Sequence, residues 1–597
     1  MDKPSFPQIE SERTLGMWLG LTNNEDHDHR EPSLDLDRML NAWTGRFTAH
    51  ISPATLVIAY VDWITHLQLS PSRKQELFAD AWEKFLRWNE YRVGMSGAAE
   101  NPDDACILPL PQDKRFSDAG WQRWPYNVIS QGFLLSQQWW HRATTGVNGI
   151  TPHHEDVVTF AARQWLDMFS PSNFLLTNPV VLDETIRTGG QNLLVGAMNA
   201  FRDWENNARD GRSRAEDKFK VGETMAITPG KVVFRNRLIE LIQYTPSTKS
   251  VHALPLLFVP AWIMKYYILD LSPHNSLVKY LVGKGYTVFM ISWKNPVATD
   301  RDLSMEDYRR LGVMEALDTI SSITGAPQIN AAGYCLGGTL LSIAAAAMAR
   351  DGDQRLASMS LFASQVDFKE PGELSLFIDE SQLALLEAAM WEQGYLDARQ
   401  MAGAFKLLRS NDLIWSRRLN HYLLGTPEQK SDLMAWNDDA TRMPYRMHSE
   451  YLRSLFLKNS LAEGRYRVEG KPIALADIRV PIFSVGTLTD HVAPWRSAFK
   501  VHLLTDSEVT FLLTTGGHNA GVVSPPGHPR RSYRIATHAH DEPYVDPDIW
   551  QTTSPSHEGS WWPAWENWLS ARSGKRIKPP APHTSLCDAP GTYVLQS

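Results

Sequence analysis

The sequence predicts an α/β protein with a mostly parallel sheet, an inserted helical cap and a mainly helical N-terminal domain. Short buried apolar runs, bounded by turn residues, recur after residue 226 and indicate strands. Before that point, large apolar residues recur at helical spacing. A Gly-x-Cys-x-Gly turn, Gly333 to Gly337, also lies between one predicted strand and an Ala-rich apolar helix. Together these observations favour alternating strands and helices around one catalytic turn.

The change of pattern divides the 597-residue chain into segments. Residues 1–225 are predicted to form the helical domain and residues 226–575 the α/β domain. Between Phe362 and Val480 the interval is too long for a simple crossover, so its helical content predicts a cap at about 365–475. Residues 576–597, rich in proline, are predicted to be a loosely structured tail. The predicted strands are 232–234, 238–244, 256–259, 286–291, 329–332, 356–362, 482–485 and 509–513.

The turn at Cys335 has the form of a nucleophile elbow, with cysteine where a hydrolase would carry serine. Such a turn strains the nucleophile's backbone, so the residues two before and two after it must be small, as Gly333 and Gly337 are. The helix that follows presents its N-terminus to the thiol and favours a thiolate there. On these five residues alone, a structural turn around an inert cysteine is the alternative interpretation.

A base and an orienting acid follow the elbow in the order found in α/β-hydrolases, acid first and histidine last. Asp490 lies just after the predicted strand 482–485, and His518 lies in a glycine-flanked loop after the next strand. The hypothesis is therefore a triad of Cys335, His518 and Asp490. His491 competes for the role of base, but its neighbour Asp490 occupies the acid position, which favours His518.

These motifs and several others resemble the polyhydroxyalkanoate synthases of the long, single-polypeptide kind (class I). The resemblance covers roughly residues 150 to 570. The segments that match the family's patterns are Gly333–Thr339, Asp490–Trp495, Gly517–Val522, Lys265–Leu271, Ser292–Pro296, Trp436–Thr441 and Gly559–Pro563. One loop departs from the family, which usually has Pro-Pro-x-Ile-Asn-Lys where this chain has Pro260-Ala261-Trp262-Ile263-Met264-Lys265.

The resemblance implies an α/β-hydrolase core. It also implies an enzyme that polymerises (R)-3-hydroxyacyl-CoA into a polyester with release of CoA, and the expected substrate is 3-hydroxybutyryl-CoA. A cysteine nucleophile suits this chemistry, because an acyl-cysteine is itself a thioester and stays activated. Backbone N–H groups of Leu336 and of the Ala261 region are the expected oxyanion donors. A cysteine-dependent thioesterase or depolymerase and a non-catalytic granule scaffold are the alternative functions.

Composition sets the remaining expectations. Three cysteines, Cys106, Cys335 and Cys587, are too few and too scattered for a disulfide framework, which fits a cytoplasmic protein. A net charge of −8 gives no reason to expect nucleic acid as a partner. The first residues have no apolar stretch typical of a signal peptide, and no apolar run approaches the length of a transmembrane segment.

No cofactor is expected beyond the CoA of the substrate, because no dinucleotide or phosphate-loop motif is present. Paired histidines, His153–His154 and His538 with His540, lack a supporting cluster of metal ligands, so no metal is expected.

Half of the 22 tryptophans precede residue 225. These are predicted to pack in the core and interfaces, or to form an aromatic face that contacts the polyester or granule surface. The resemblance further implies a homodimer at the surface of polyhydroxyalkanoate granules, possible granule-associated protein partners, and the growing polyester as a ligand.

Overall fold

The computed structural model describes residues 32–48, 51–95, 105–208, 218–398, 400–401, 403, 410–427, 430–581 and 585–596. All structural statements below concern these residues. The first 31 residues of the predicted helical domain lie outside them, as do parts of the predicted cap and tail.

Up to residue 208 the described chain is helical, as the spacing of its apolar residues predicts. Proline at the first or second helical position begins several of these helices, where its fixed φ fits and its missing N–H costs nothing. Ser52 caps one of them by accepting a hydrogen bond from the N–H of Thr55. The helices are α1 Pro32–Phe47, α2 Pro53–Gln68, α3 Pro71–Met95, α4 Tyr126–Thr144, α5 Pro152–Met168, α6 Pro179–Arg187 and α7 Gln191–Ala208.

The rest of the fold is built on an eleven-stranded sheet with a fully buried centre. Its strands are β1 Gly230–Arg235, β2 Ile239–Tyr244, β3 Leu256–Val259, β4 Val288–Trp293, β5 Ile329–Tyr334, β6 Leu356–Phe362, β7 Ile482–Thr487, β8 Val509–Thr514, β9 Ser532–His538, β10 Ser556–Glu558 and β11 Cys587–Asp588. Across the sheet their order is β10-β9-β8-β7-β6-β5-β3-β4-β2-β1-β11.

Strands β3 to β8 pair in parallel, and β1 and β2 form the predicted antiparallel hairpin. All eight predicted strands are present, with ends displaced by at most two residues. Strands β9, β10 and β11 were not predicted. β9 is only partly buried along its length and lacks the continuous apolar run of a central strand.

Helices cover the sheet and fill the interval between β6 and β7. Those that flank the sheet are α8 Leu277–Gly283, α9 Glu315–Thr324, α10 Leu336–Arg350, α14 Trp495–Phe499, α15 Val501–Leu504, α16 His518–Val522, α17 Pro547–Thr553 and α18 Trp562–Ser570. Between β6 and β7 lie α11 Glu380–Gln393, α12 Asp432–Asn437 and α13 Tyr445–Tyr451, with π-helical turns at Asn411–Trp415, Arg418–Leu423 and Leu452–Leu457. This helical insertion is where the cap is predicted, and the domain boundaries themselves stay predictions.

The C-terminal residues differ from the loosely structured tail that the sequence predicts. Arg576–Ile577 pairs with Val251–His252, and β11 adds an antiparallel strand to the edge of β1. Glu240, fully buried in β2, accepts hydrogen bonds from the backbone N–H groups of Thr592 and Tyr593, both at 2.9 Å. The prolines suggested a loose tail, and that prediction is wrong. The buried carboxylate of Glu240 and the open edge of β1 order these residues through long-range contacts.

None of the helices in the described ranges combines the length and the apolar character needed to cross a lipid bilayer.

Candidate active site

Cys335 lies in the strained turn that the sequence predicts. It follows β5, has φ 52° and ψ −125°, and caps α10. A non-glycine residue with positive φ outside the left-handed helical region is rare and marks an elbow of this kind. The backbone N–H of Cys335 donates to the carbonyl oxygen of Phe362 at 2.9 Å, which fastens the turn to the neighbouring strand.

The two flanking glycines are required by close backbone contacts. A Cβ atom on Gly333 would lie 2.3 Å from the Cα of Gly338, and one on Gly337 would lie 2.0 Å from the carbonyl oxygen of Val259. Either distance is far inside van der Waals contact, so any larger residue would displace the turn. The prediction that both positions must be small is therefore confirmed.

Asp490 and His518 meet at the carboxyl ends of β7 and β8. Nδ1 of His518 lies 2.8 Å from Oδ2 of Asp490. The hydroxyl of Thr487 donates to the same oxygen at 2.9 Å, and the backbone N–H groups of Val492 and Ala493 donate to Oδ1 at 2.9 Å. The carboxylate is thus held on both oxygens, as an orienting acid requires.

Charges and hydrogen bonds set the protonation of this pair. Burial would raise the pKa of Asp490, but the positive charge of His518, their hydrogen bond and the two backbone N–H donors lower it below its usual value. Burial would lower the pKa of His518, yet the charges of Asp490 and Cys335 and hydrogen bonds to both raise it well above 6.5. The carboxylate of Asp490 is in direct contact with His518, and the charge of Cys335 acts on the same imidazole.

The histidine loop is fastened by residues that the sequence motifs contain without revealing their contacts. The hydroxyl of Tyr334 donates to Oδ1 of Asn519 at 2.5 Å, and Nδ2 of Asn519 donates to Oδ1 of Asn437 at 3.2 Å. The indole N–H groups of Trp561 and Trp562 donate to the carbonyl oxygens of Gly521 and Val522, at 2.9 and 3.0 Å. These contacts connect the elbow, the histidine loop, the insertion and α18.

The insertion between β6 and β7 contacts the histidine loop through Asn437, next to the buried side chains of the proposed triad. Cys335 is 8% exposed and His518 is 9% exposed. Tyr451, buried at the end of α13, has a pKa raised well above 10 by burial and by the charge of Cys335. No motif pointed to Tyr451, because its position depends on how the insertion folds back.

The expected oxyanion donors lie on two adjoining segments. Leu336 is the first residue of α10 and Ala261 lies in the loop after β3, which packs directly on Gly337. Within the described part of the chain, neither the backbone N–H of Leu336 nor that of Ala261 donates to a backbone carbonyl. Both donors are therefore available to a ligand at the cysteine.

The paired histidines His153 and His154 each lie near a carboxylate. His154 contacts Asp62 at 2.6 Å, and His153 lies 3.5 Å from Asp379. In the parts of the chain that the structure describes, no group of three or more metal-binding side chains is found.

A strained cysteine after a central parallel strand, with an aspartate and a histidine after the next strands, defines a protein of the α/β-hydrolase class with a cysteine at the elbow. A model of the "alpha/beta hydrolase fold" matches residues 255–525. Two models described as the N-terminal part of poly-beta-hydroxybutyrate polymerase match residues 31–73 and 112–281.

Sequence relatives extend this likeness over most of the chain. The poly(3-hydroxyalkanoate) polymerase of Methylorubrum extorquens is 42% identical over 85% of this chain and 84% of its own length. Those of Rhizobium meliloti (strain 1021) and Cupriavidus necator are 38% and 36% identical, over 87% and 89% of this chain and 84% and 90% of their own lengths. The chain belongs to the poly(3-hydroxyalkanoate) polymerase family.

Proposed function

We propose that this protein is an acyltransferase that joins (R)-3-hydroxyacyl-CoA units, in the first instance 3-hydroxybutyryl-CoA, into a polyester and releases CoA. The observation that carries the proposal is the cysteine at the elbow, connected through His518 to Asp490, in a chain whose relatives are named as polymerases. Cysteine retains the acyl group as a thioester, whereas serine would give an ester as stable as the product.

The first step loads the enzyme. The sulfur of Cys335 attacks the thioester carbonyl of the substrate, and His518 holds the proton that leaves the thiol. The carbon–sulfur bond to CoA breaks, the proton passes to the CoA sulfur, and the acyl group remains on Cys335. One thioester replaces another, so this step is close to thermoneutral.

The second step extends the polymer. The hydroxyl of one 3-hydroxyacyl unit attacks the thioester carbonyl of another, with His518 or Asp490 accepting the hydroxyl proton. An oxoester forms and one thiol is released for each bond made. Because an oxoester is more stable than a thioester, this step drives the chain forward.

Oxyanion stabilisation and exclusion of water complete the proposal. The N–H groups of Leu336 and Ala261 donate to the tetrahedral oxyanion in both steps. The insertion that leaves Cys335 8% exposed keeps water from the acyl-enzyme. The reaction needs no cofactor, since CoA is part of the substrate and the leaving group.

The same proposal places the protein in the cytoplasm at the surface of its polyester, as a homodimer. Helix α7 supports this location, because its polar and small residues face the insertion while its apolar residues face outward. Asn192 and Asn199 donate to the carbonyl oxygens of Leu423 and His421, at 2.8 and 3.1 Å. The exposed residues are Leu194, Met198, Phe201 and Trp204, each between 52% and 68% exposed. Such an outward apolar face is typical of a helix that lies on an apolar surface.

The decisive experiment measures thiol release from (R)-3-hydroxybutyryl-CoA and weighs insoluble product in parallel, for the wild-type protein and for Cys335→Ala. Thiol release with matching polymer, lost in the variant, would support the proposal. Release of soluble hydroxy acid alone would identify a thioesterase or depolymerase. Absence of release from this substrate and from longer acyl-CoA esters would favour a scaffold. A second experiment tests the location: the Phe201→Glu variant should sediment with the polymer less than the wild-type protein does. Light scattering measures the mass of the wild-type protein in solution and so tests whether it is a dimer.

A further inference from the structure

The indole of Trp293 holds the loop that carries one proposed oxyanion donor. Trp293 ends β4, is 3% exposed, and donates from Nε1 to the carbonyl oxygen of Pro260 at 2.9 Å. That carbonyl belongs to the same peptide unit as the N–H of Ala261. The peptide is trans, so its C=O and N–H point in opposite directions. Fixing the carbonyl toward Trp293 therefore directs the Ala261 N–H the opposite way within the peptide plane, away from Trp293.

Packing leaves the indole no freedom to change this contact. A Cβ atom on Gly312 would lie 2.5 Å from the far edge of the ring, and the ring of Tyr308 lies 5.1 Å away between centroids. Both residues belong to a π-helical segment, Tyr308–Met314, a rare element that is enriched near functional sites. The packing of Gly312 and Tyr308 against the ring therefore fixes the position of the Trp293 indole N–H.

The rest of the loop is tied down separately. The hydroxyl of Thr441 donates to the carbonyl oxygen of Trp262 at 2.5 Å. The backbone N–H of Thr441 donates to the carbonyl oxygen of Ile263 at 3.0 Å. The Pro260–Ala261 peptide lies just before these contacts and depends on Trp293. Without the indole N–H, rotation of this peptide would turn its N–H away and present a carbonyl oxygen instead.

We propose that Trp293 is a positioning residue, which orients the Ala261 N–H toward the oxyanion by holding the carbonyl of Pro260. The inference rests on the proposed acyl transfer. It explains why the Ser-Trp-Lys-Asn-Pro motif, remote in sequence from Cys335, Asp490 and His518, places its tryptophan at the end of β4.

The test is Trp293→Phe, which keeps an aromatic ring and removes the N–H donor. The matched control is Trp63→Phe. Trp63 is 7% exposed and donates its indole N–H to the carbonyl oxygen of Ala143 at 3.0 Å, between the N-terminal helices α2 and α4. Thiol release from (R)-3-hydroxybutyryl-CoA gives kcat and KM for each variant, and thermal unfolding checks that both are folded. If Trp293→Phe does not fold, the isosteric benzothienyl analogue of tryptophan at residue 293 replaces it.

We expect kcat of Trp293→Phe to fall at least tenfold with KM within about twofold of wild type, because an oxyanion donor acts in the transition state. Trp63→Phe should keep the wild-type kcat. Unchanged kcat in the residue 293 variant, an equal fall in the control, or a rise in KM alone would overturn the inference. A wild-type protein that releases no thiol from any acyl-CoA would instead contradict the proposed function, and the inference with it.

Discussion

The hydroxyl of Tyr334 donates a 2.5 Å hydrogen bond to Oδ1 of Asn519, which joins the residue before the elbow cysteine to the residue after the loop histidine. The rings of Tyr334 and His518 lie 5.8 Å apart between centroids. The elbow and the histidine loop come from different strands, so this bond fixes their separation directly. The distance between sulfur and imidazole depends on that separation.

Loss of this bond should slow the reaction without unfolding the protein. We expect Tyr334→Phe and Asn519→Ala each to lower kcat for thiol release roughly tenfold, which corresponds to about 1.4 kcal/mol in the barrier. The double variant should be no slower than Asn519→Ala, because that single variant already removes the bond to Tyr334 together with the contact to Asn437. Fully multiplicative losses would show that the residues act independently.

Substitution of Asp490 by Asn should reduce activity far more. Nδ1 of His518 would lose its charged partner, and kcat should fall by roughly 10³- to 10⁴-fold, as for the aspartate of other triads. The pKa of His518 should also fall, because the charge of Asp490 raises it. Imidazole NMR signals across a pH titration report this change. An undiminished kcat in Asp490→Asn would exclude the acid role.

Buried histidines should make stability depend on pH. Burial lowers the pKa of His448 from 6.5 to about 3, and that of His502 is lowered to about 3 by burial and by the charge of His538. Below pH 6.5 the unfolded chain binds protons that the folded protein does not, so stability falls as the pH falls from 6.5 toward 3. Each histidine should contribute about 1.4 kcal/mol per pH unit in that window.

His448→Phe and His502→Phe should each make this dependence less steep by one proton, and the double variant by two. Urea unfolding between pH 5 and pH 7 measures the slope. An unchanged slope in either single variant would show that the histidine replaced is not buried in its neutral form.

Deletion of residues 586–597 should destabilise the sheet. Glu240 is 0% exposed and would lose its contacts to Thr592 and Tyr593. Glu240 keeps its ion pair with Arg235, so the cost is that of the lost hydrogen bonds to a charged group, about 1.5–3 kcal/mol each. The control is Asp588→Ala, which removes only an exposed ion pair with Lys231 and should cost less than about 1 kcal/mol. Equal unfolding midpoints for the deletion and the control would show that the C-terminal residues do not support Glu240.

The sequence carries enough information for the centre of the sheet and for the proposed triad. Central parallel strands are short continuous apolar runs, and the elbow has a fixed spacing of small residues, so both are local patterns. The location of Asp490 and His518 follows from the order of strands, because acid and base occupy the ends of the strands after the elbow. Their hydrogen bond agrees with the prediction.

Contacts between distant segments are not encoded in such local patterns. The position of Tyr451 depends on the path of the insertion, and the order of the C-terminal residues depends on Glu240 more than 350 residues earlier. Asn519 and Trp293 lie within recognised motifs, yet their partners Tyr334 and Pro260 became evident only from the folded chain.

During translation β11 is synthesised long after β1, the strand with which it pairs. β1 pairs with β11 through Lys231 and Asp588, which are 357 residues apart. At roughly 5–20 residues per second, a ribosome needs on the order of 20–70 seconds to add those residues. During that interval the β1 edge of the nascent chain lacks its final partner and can pair with the same edge of another nascent chain. Slower synthesis at low temperature lengthens the exposure, so chaperone demand in the cell should follow the time taken to translate residues 236–588.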